Sequence, residues 1–413
     1  MIKPTSKYIY AIATMDTKGE EIAYIAESLR LSGAKVVTVD VGTASPPTCA
    51  PDIDRTTVAE CHPSGQKILS IKDRGEAVTA MGEALAIFLA NENAEGRLSG
   101  AIGIGGTGGT ALITQALRGL PLGVPKLMVS TVAGGDVSAY VQESNIVMVP
   151  SIVDVAGLNR VSTEVFGRAA GAIAGMVGAH LPQLDVKPCA AVTMFGVTTQ
   201  CVDRVRAALE ASGWDVLVFH ATGAGGRSME ALVEAGLVEA VIDITTTEVA
   251  DEIVGGVFPA GPSRFDAILN RRIPYVLSVG AVDMVNFWAP ETVPGKYADR
   301  LFHRHNANVT LMRTTPEENR SIARWISQKL NKAKSAWTLL IPEGGVSAID
   351  IPGQPFHDPE ADAALFDELE KTIEPKQGRN LLRRAEAIND PAFADAIVSA
   401  FEDLVSPPAN SKH

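Results

Sequence analysis

Ala101 to Ile104 is an apolar run that ends in Gly105-Gly-Thr-Gly-Gly-Thr110, and Ala111 to Leu117 follows with helical spacing. Strand, glycine turn and helix in immediate succession confine this region to an α/β unit. Backbone N–H groups and a helix N-terminus then point at one spot beyond the strand, a spot that favours a phosphate or carboxylate. Glycine suits the turn because it is expected to reach positive φ there and because a side chain would keep the anion out. The segment reads as an anion cradle fit for a nucleotide, the alternative being a tight turn whose glycines serve close packing. Gly103, Gly105 and Gly108 satisfy G-x-G-x-x-G formally. The dinucleotide fingerprint also wants an acidic residue after the next strand. Here Lys126–Ser130 runs into Thr131-Val-Ala-Gly-Gly135, with no carboxylate at its tip.

The arrangement recurs. Ile9 to Thr14 reads as a strand and enters Asp16-Thr17-Lys18-Gly19, followed by a helix with Ile22, Ile25, Ala26 and Leu29 on one face. Thr17 and Glu20 have the spacing of a capping box, and Lys18 is placed to pair with a phosphate. A third instance is Thr131, Ala133, Gly134 and Gly135, again directly after a strand. In an open parallel sheet, ligands sit beyond the carboxyl ends of the strands. Three small-residue loops on that edge favour a site over three independent turns. Strands are expected at 8–14, 35–40, 100–104, 126–130 and 146–149, and helices at 20–31, 73–91, 110–117 and 162–179. This alternation implies a doubly wound, mostly parallel sheet. Residues 44–65, rich in Pro, Thr, Cys and Asp, read as a loop bordering the site.

After a linker-like stretch, 181–188, the opening pattern returns. Thr14-Met15 through Leu29-x-x-Ser32-Gly33 resembles Thr193-Met194 through Leu209-x-x-Ser212-Gly213. The expected fold is therefore α/β, with two Rossmann-like doubly wound domains, mostly parallel sheets, facing across a cleft. Residues 1–183 form the nucleotide-binding domain and 184–390 the second, on the substrate side. The helix at 391–405 is expected to pack back on the first domain. Further strands are expected at 240–244, 275–279, 308–312 and 336–341.

The second half offers its own chemistry. His220 leads into Gly223, Gly225, Gly226 and Arg227, another post-strand glycine loop. Arg227 and the loop amides suit a carboxylate, with His220 as acid or base; the alternative is a turn with a satisfied strand-end histidine. Glu343, Gly344, Gly345 and Asp350 follow a strand in the same way, with Glu343 as proton acceptor or as cap of its own turn. Asp283 and Asn286 also follow a strand, and 355–360 reads as a loop over the cleft.

A net charge of −12 and a pI near 5.2 argue against nucleic acid or an anionic membrane as partner. Gly167, Gly171 and Gly175 are spaced like a membrane dimer motif, but Arg168 lies among them, so no membrane span is expected. The amino terminus lacks a signal-peptide pattern. Four cysteines without C-x-x-C spacing read as buried or inert thiols in a reducing cytoplasm. His303-Arg304-His305 has no third ligand nearby, and no metal site is assigned.

Thr14–Glu20, Gly103–Thr110, Phe195–Thr199, His220–Arg227, Ser278–Phe287 and Glu343–Asp350 occur in this order over nearly the whole chain. Together they resemble the bacterial and fungal family of uncharacterised proteins homologous to the amino-terminal region of plant tobamovirus-resistance proteins. The resemblance implies a two-domain α/β protein that binds ATP in its first domain and forms a homodimer. It carries nucleotide binding to Asp16, Thr17, Lys18 and Gly19, to Gly105, Gly106, Thr107, Gly108, Gly109 and Thr110, and to Thr131, Ala133, Gly134 and Gly135. The resulting expectation is a cytoplasmic ATP-binding protein, with magnesium, that acts on or senses a small acidic metabolite in an interdomain cleft. The alternatives are a nucleotide-dependent regulatory protein without turnover and an NAD-dependent oxidoreductase.

Overall fold

In the computed structural model, which describes residues 7–182 and 185–405, the chain divides into two units, Met1–Gln183 and Leu184–His413. Gln183 and Leu184 of the expected linker lie outside the described residues. The first unit contains β1 (Tyr8–Ala13), β2 (Val36–Asp40), β3 (Leu98–Gly105), β4 (Lys126–Ser130) and β5 (Val147–Pro150). They form one all-parallel sheet in the order β2-β1-β3-β4-β5. Its helices are α1 (Met15–Leu31), α2 (Arg55–Glu60), α3 (Arg74–Ala94), α4 (Thr107–Arg118), α5 (Ser138–Val141) and α6 (Arg160–Gly178).

Successive strand residues face opposite sides, so a sheet buried on both faces needs apolar residues throughout. Ile9 and Ala11 pack with Ile22 and Ile25 of α1 and Phe166 of α6. Tyr10 and Ile12 pack with Leu85 of α3 and Leu112 of α4 on the other face. The chain winds one way from β1 to β2 and the other way from β3 to β5. The strand order thus reverses between β1 and β3, which is where such sheets take ligands.

α1 begins at Met15, earlier than expected, with a kink at Lys18 (φ −126°, ψ 24°). The Thr17–Glu20 capping box does not form. Thr17 Oγ1 instead donates back to the Thr14 carbonyl at 3.3 Å, and the leading amide of Met15 is taken by Asp40 Oδ1 at 3.0 Å.

The second unit contains β6 (Cys189–Met194), β7 (Asp215–His220), β8 (Ala240–Thr245), β9 (Tyr275–Gly280), β10 (Met284–Phe287), β11 (Phe302–Arg304), β12 (Thr310–Arg313), β13 (Trp337–Pro342) and β14 (Arg379–Arg384). Its helices are α7 (Thr199–Ala211), α8 (Ala224–Glu234), α9 (Thr247–Val254), α10 (Asp266–Arg271), α11 (Pro316–Asn331), α12 (Pro359–Thr372) and α13 (Pro391–Val405). Six strands make a parallel sheet, β14-β13-β9-β8-β6-β7. Read from β7, its first five strands repeat the order of the first unit, so the repeat detected in sequence is a repeat of topology.

Between β9 and β13 the chain adds an antiparallel sheet, β10-β12-β11. The strand expected at 308–312 is the middle member of that insert. The terminal helix departs from expectation too. α13 packs within the second unit, where Phe393, Ile397 and Phe401 join Val202 and Val205 of α7 in one core. Among the described residues no helix is long and apolar enough to cross a membrane.

Candidate functional site

β1, β3 and β4 are neighbours, so the loops leaving their carboxyl ends are neighbours as well. At about 4.8 Å per strand, all three fall within about 10 Å along the sheet edge. Gly106 is the N-cap of α4 and carries no side-chain cap. The amides of Thr107, Gly108 and Gly109 form the helix's first turn and have no intrahelical acceptor. A Cβ placed on Gly106 would find its nearest atom at 3.9 Å, Thr131 Oγ1. One on Gly109 would lie 3.8 Å from Thr14 Oγ1, and one on Gly108 3.9 Å from a guanidinium nitrogen of Arg74. The space before this turn is open and is bordered by two threonine hydroxyls and a cation. Thr14 and Arg74 escaped the sequence reading. Arg74 opens α3, far from any glycine motif, and only the tertiary fold brings it here.

Other residues expected at this site serve the fold. Asp16 Oδ2 accepts from the Ala44 amide at 3.1 Å. Lys18 Nζ donates to the Val155 carbonyl, holding the loop after β5. Gly19 is buried, and a Cβ there would stand 2.3 Å from Thr48 Oγ1. Thr110 is buried with its hydroxyl 2.6 Å from Ser130 Oγ. Gly105 allows the Gly109 backbone to approach, since its Cβ would be 3.0 Å from Gly109 Cα. In the third loop the Ala133 and Gly135 amides close turns onto Ser130 and Val132, while Gly134 faces open space.

Two cavities flank the turn. One of about 470 Å³ is lined by Thr131, Gly134 and residues 150–154. On its rim Ile152 is exposed with φ +66°, a left-handed conformation that costs a β-branched residue energy. The other, about 430 Å³, lies at the tip of β2 between residues 43–47, Asp54 and Arg55. The segment read as a bordering loop lines it and also contains α2.

In the second unit the expected chemistry is present, but its anion is internal. The amides of Gly223 and Gly226 donate to Glu248 Oε1 at 2.7 and 3.0 Å. Glu248 pairs with buried Arg264 at 2.9 Å, which also meets Asp243 at 2.8 Å and Glu230 at 3.3 Å. Burial pushes the pKa of Glu248 and of Glu230 up, against the pull of Arg264. Gly225 is a packing glycine, whose Cβ would be 1.9 Å from the His220 carbonyl oxygen. Arg227 Nη1 donates to the Pro259 carbonyl at 3.1 Å. His220 ends edge strand β7 with its ring 5.2 Å from that of Phe195, and burial lowers its pKa.

Glu343 directly follows β13 and pairs with Arg383 Nε at 2.7 Å. Three strands separate β13 from β7. His220 and Glu343 therefore stand about 19 Å apart along the sheet and do not share a site. Gly344 and Gly345 are pressed against the Ala387 amide and the Asp350 carbonyl. Asp350 accepts from the Val346 amide at 2.9 Å and pairs with buried Arg313 at 3.2 Å. Burial and the neighbouring Asp283 and Asp362 push its pKa up against Arg313. The 355–360 segment is no free flap, because Phe356 is buried and its carbonyl is held by Arg313 Nε at 2.8 Å. Asp283 and Asn286 are buried too, bonded to Ser347 and Asp251.

Two family models match the chain: the N-terminal domain of an uncharacterised protein family, UPF0261, over residues 7–182, and its C-terminal domain over 187–405. A UPF0261 protein of Rhizobium meliloti is 53% identical over 97% of this chain and 100% of its own length. The ToMV resistance protein Tm-1(GCR237) of Solanum lycopersicum is 44% identical over 97% of this chain. The ToMV susceptible protein tm-1(GCR26) of the same plant is 43% identical over the same share. This chain spans 56% of the length of each tomato protein.

Proposed function

The chain belongs to the uncharacterised protein family UPF0261, and from that premise we propose that its first unit binds ATP, with magnesium, at the carboxyl edge of β1, β3 and β4. One contrast carries the reading. In the second unit a glycine loop is closed by the protein's own Glu248, whereas the first turn of α4 faces open space beside Thr14, Thr131 and Arg74. Amides, hydroxyls and a guanidinium converging on one spot match phosphate oxygens. Pro150, Ile152 and Val153 in the adjoining cavity offer an apolar wall for a base.

A small acidic co-ligand fits the cavity at the tip of β2. Arg55 Nε is held by Asp40 there at 2.7 Å, and its buried Nη2 has no acceptor among the described residues. Of the second-unit acid–base candidates Glu343 is paired with Arg383, and His220 stands about 19 Å from it along the sheet, which supports nucleotide-dependent binding over turnover. A nicotinamide cofactor is less well supported. The order β2-β1-β3-β4-β5 differs from the dinucleotide order 3-2-1-4-5-6. Asp40 already serves Met15, Gly42 and Arg55. Resistance and susceptibility are named for two tomato proteins almost equally similar to this chain, so neither property transfers. The homodimer is part of the same proposal, with light scattering as its measurement.

Calorimetry of the full chain with Mg-ATP tests the reading. Saturable heat is expected, together with thermal stabilisation that Gly106→Val removes and Arg74→Gln weakens. No heat, with Gly106→Val behaving as wild type in ATP, defeats it. Stabilisation by NAD(H) alone would redirect it to a dinucleotide.

A further inference from the structure

The antiparallel insert of the second unit borders an open cavity of about 380 Å³ with residues 290–298. We propose that this cavity binds a small amphipathic carboxylate, independently of the nucleotide. Arg304 of β11 lies directly opposite Thr310 of β12, and Phe302 opposite Met312. Alternate residues share a face, so Phe302, Arg304 and Thr310 all present their side chains to the same side of the insert, and all three line the cavity. The two polar groups therefore meet at one end. Val293, Pro294, Ala298 and Phe302 leave the remainder apolar.

Both polar groups have capacity to give. Thr310 is 4% exposed, and its Oγ1 is buried with no hydrogen-bond partner among the described residues. A lone buried hydroxyl is a cost that a ligand atom would relieve. Arg304 is exposed, its Nε reaches the Asn306 carbonyl only at 3.4 Å, and among the described residues no ion pair joins it to a carboxylate. A guanidinium binds a carboxylate through two parallel N–H donors, and the hydroxyl adds a third. The volume lies at the small end of ligand pockets, which sets the tail at a short alkyl chain or a single ring.

Hexanoate and benzoate, titrated into the full-length protein by calorimetry and thermal shift, test this, with 1-hexanol and benzyl alcohol as uncharged controls. The carboxylates are expected to bind saturably and raise Tm. Arg304→Gln should weaken them by about 10-fold or more and leave the alcohols unchanged. Thr310→Val, close to isosteric, should also weaken the carboxylates while raising the Tm of the ligand-free protein. No saturable binding at millimolar concentration, or binding that both variants leave intact, overturns the proposal. So does a wild-type oligomer that Val293→Arg splits, which would make this face a subunit interface.

Discussion

Glu248 shows what a glycine loop does when its anion is covalently part of the chain. Two amides, of Gly223 and Gly226, rely on one of its oxygens. Arg264 has Asp243 and Glu230 besides, so removing Glu248 strands the amides more than the guanidinium. At about 1–3 kcal/mol for each unsatisfied buried group, Glu248→Ala should lower the urea unfolding free energy by about 3 kcal/mol. Glu248→Gln keeps an acceptor oxygen and should cost about 1 kcal/mol. Equal losses for the two would mean that the ion pair dominates. Asp251 gives a pH signature. It accepts from the Phe258 and Asn286 amides and the Asn286 side chain, yet burial pushes its pKa up to about 7. A folded-state pKa above the unfolded one means that the native state holds the proton longer. Its contribution is complete at acid pH near the unfolded value and is lost as pH rises through 7. Wild type should thus lose about 2 kcal/mol from this group between pH 5 and pH 8, and the Asp251→Asn variant should show a flatter profile. Parallel profiles for the two proteins would refute the assignment.

At the level of loops and helices, similar glycine runs do different things, and space separates them. Gly106 and Gly108 have negative or unremarkable φ and nearest atoms at 3.9 Å from a Cβ. Alanine at either position should leave the ligand-free Tm within about 1 °C while reducing ATP stabilisation. Gly225→Ala and Gly226→Ala put a methyl group 1.9 Å from His220 O and 2.2 Å from Glu248 Oε2. Each should destabilise by about 2 kcal/mol or more. Thermal melts of the four variants with and without nucleotide check both halves of this statement. Sequence showed that these runs follow strands, because strand, turn and helix are local in the chain. It did not show which runs stay open, because the plug in one case is Glu248 from another element and the border in the other is Arg74. For the same reason sequence alone offers Lys18 to a phosphate, although the Val155 carbonyl that takes it is remote in the chain. Missed elements have local causes. β14 reads Arg-Asn-Leu-Leu-Arg-Arg, an edge strand whose charges hide its period. α9 opens on the last of three threonines and spans two turns, too short for a helical pattern to stand out.

The whole molecule repeats one topology and diverges at its most telling position. The loop after β3 in the first unit corresponds in sheet position to the loop after β8 in the second, since both follow the strand across the reversal point. In the first it is Gly106-Thr-Gly-Gly109; in the second it is Thr246-Thr-Glu248, with every residue buried. Thr198 and Thr245 close that second edge with a hydroxyl pair at 2.8 Å. One copy keeps the edge open to a ligand, and the other fills it with side chains bonded to one another. Nucleotide binding should then be a property of the first unit. Each unit has a core on both faces of its own sheet, and at its size a fragment of residues 1–183 is long enough to fold by itself. Such a fragment should unfold cooperatively and bind Mg-ATP within about 10-fold of the intact chain, a loss of no more than about 1.4 kcal/mol. A folded fragment that ignores ATP while the full chain binds it would place essential ligand contacts in the second unit. The filled edge around Thr246 and Glu248 would then need another explanation, because a copy sealed against ligands has no atoms to contribute there.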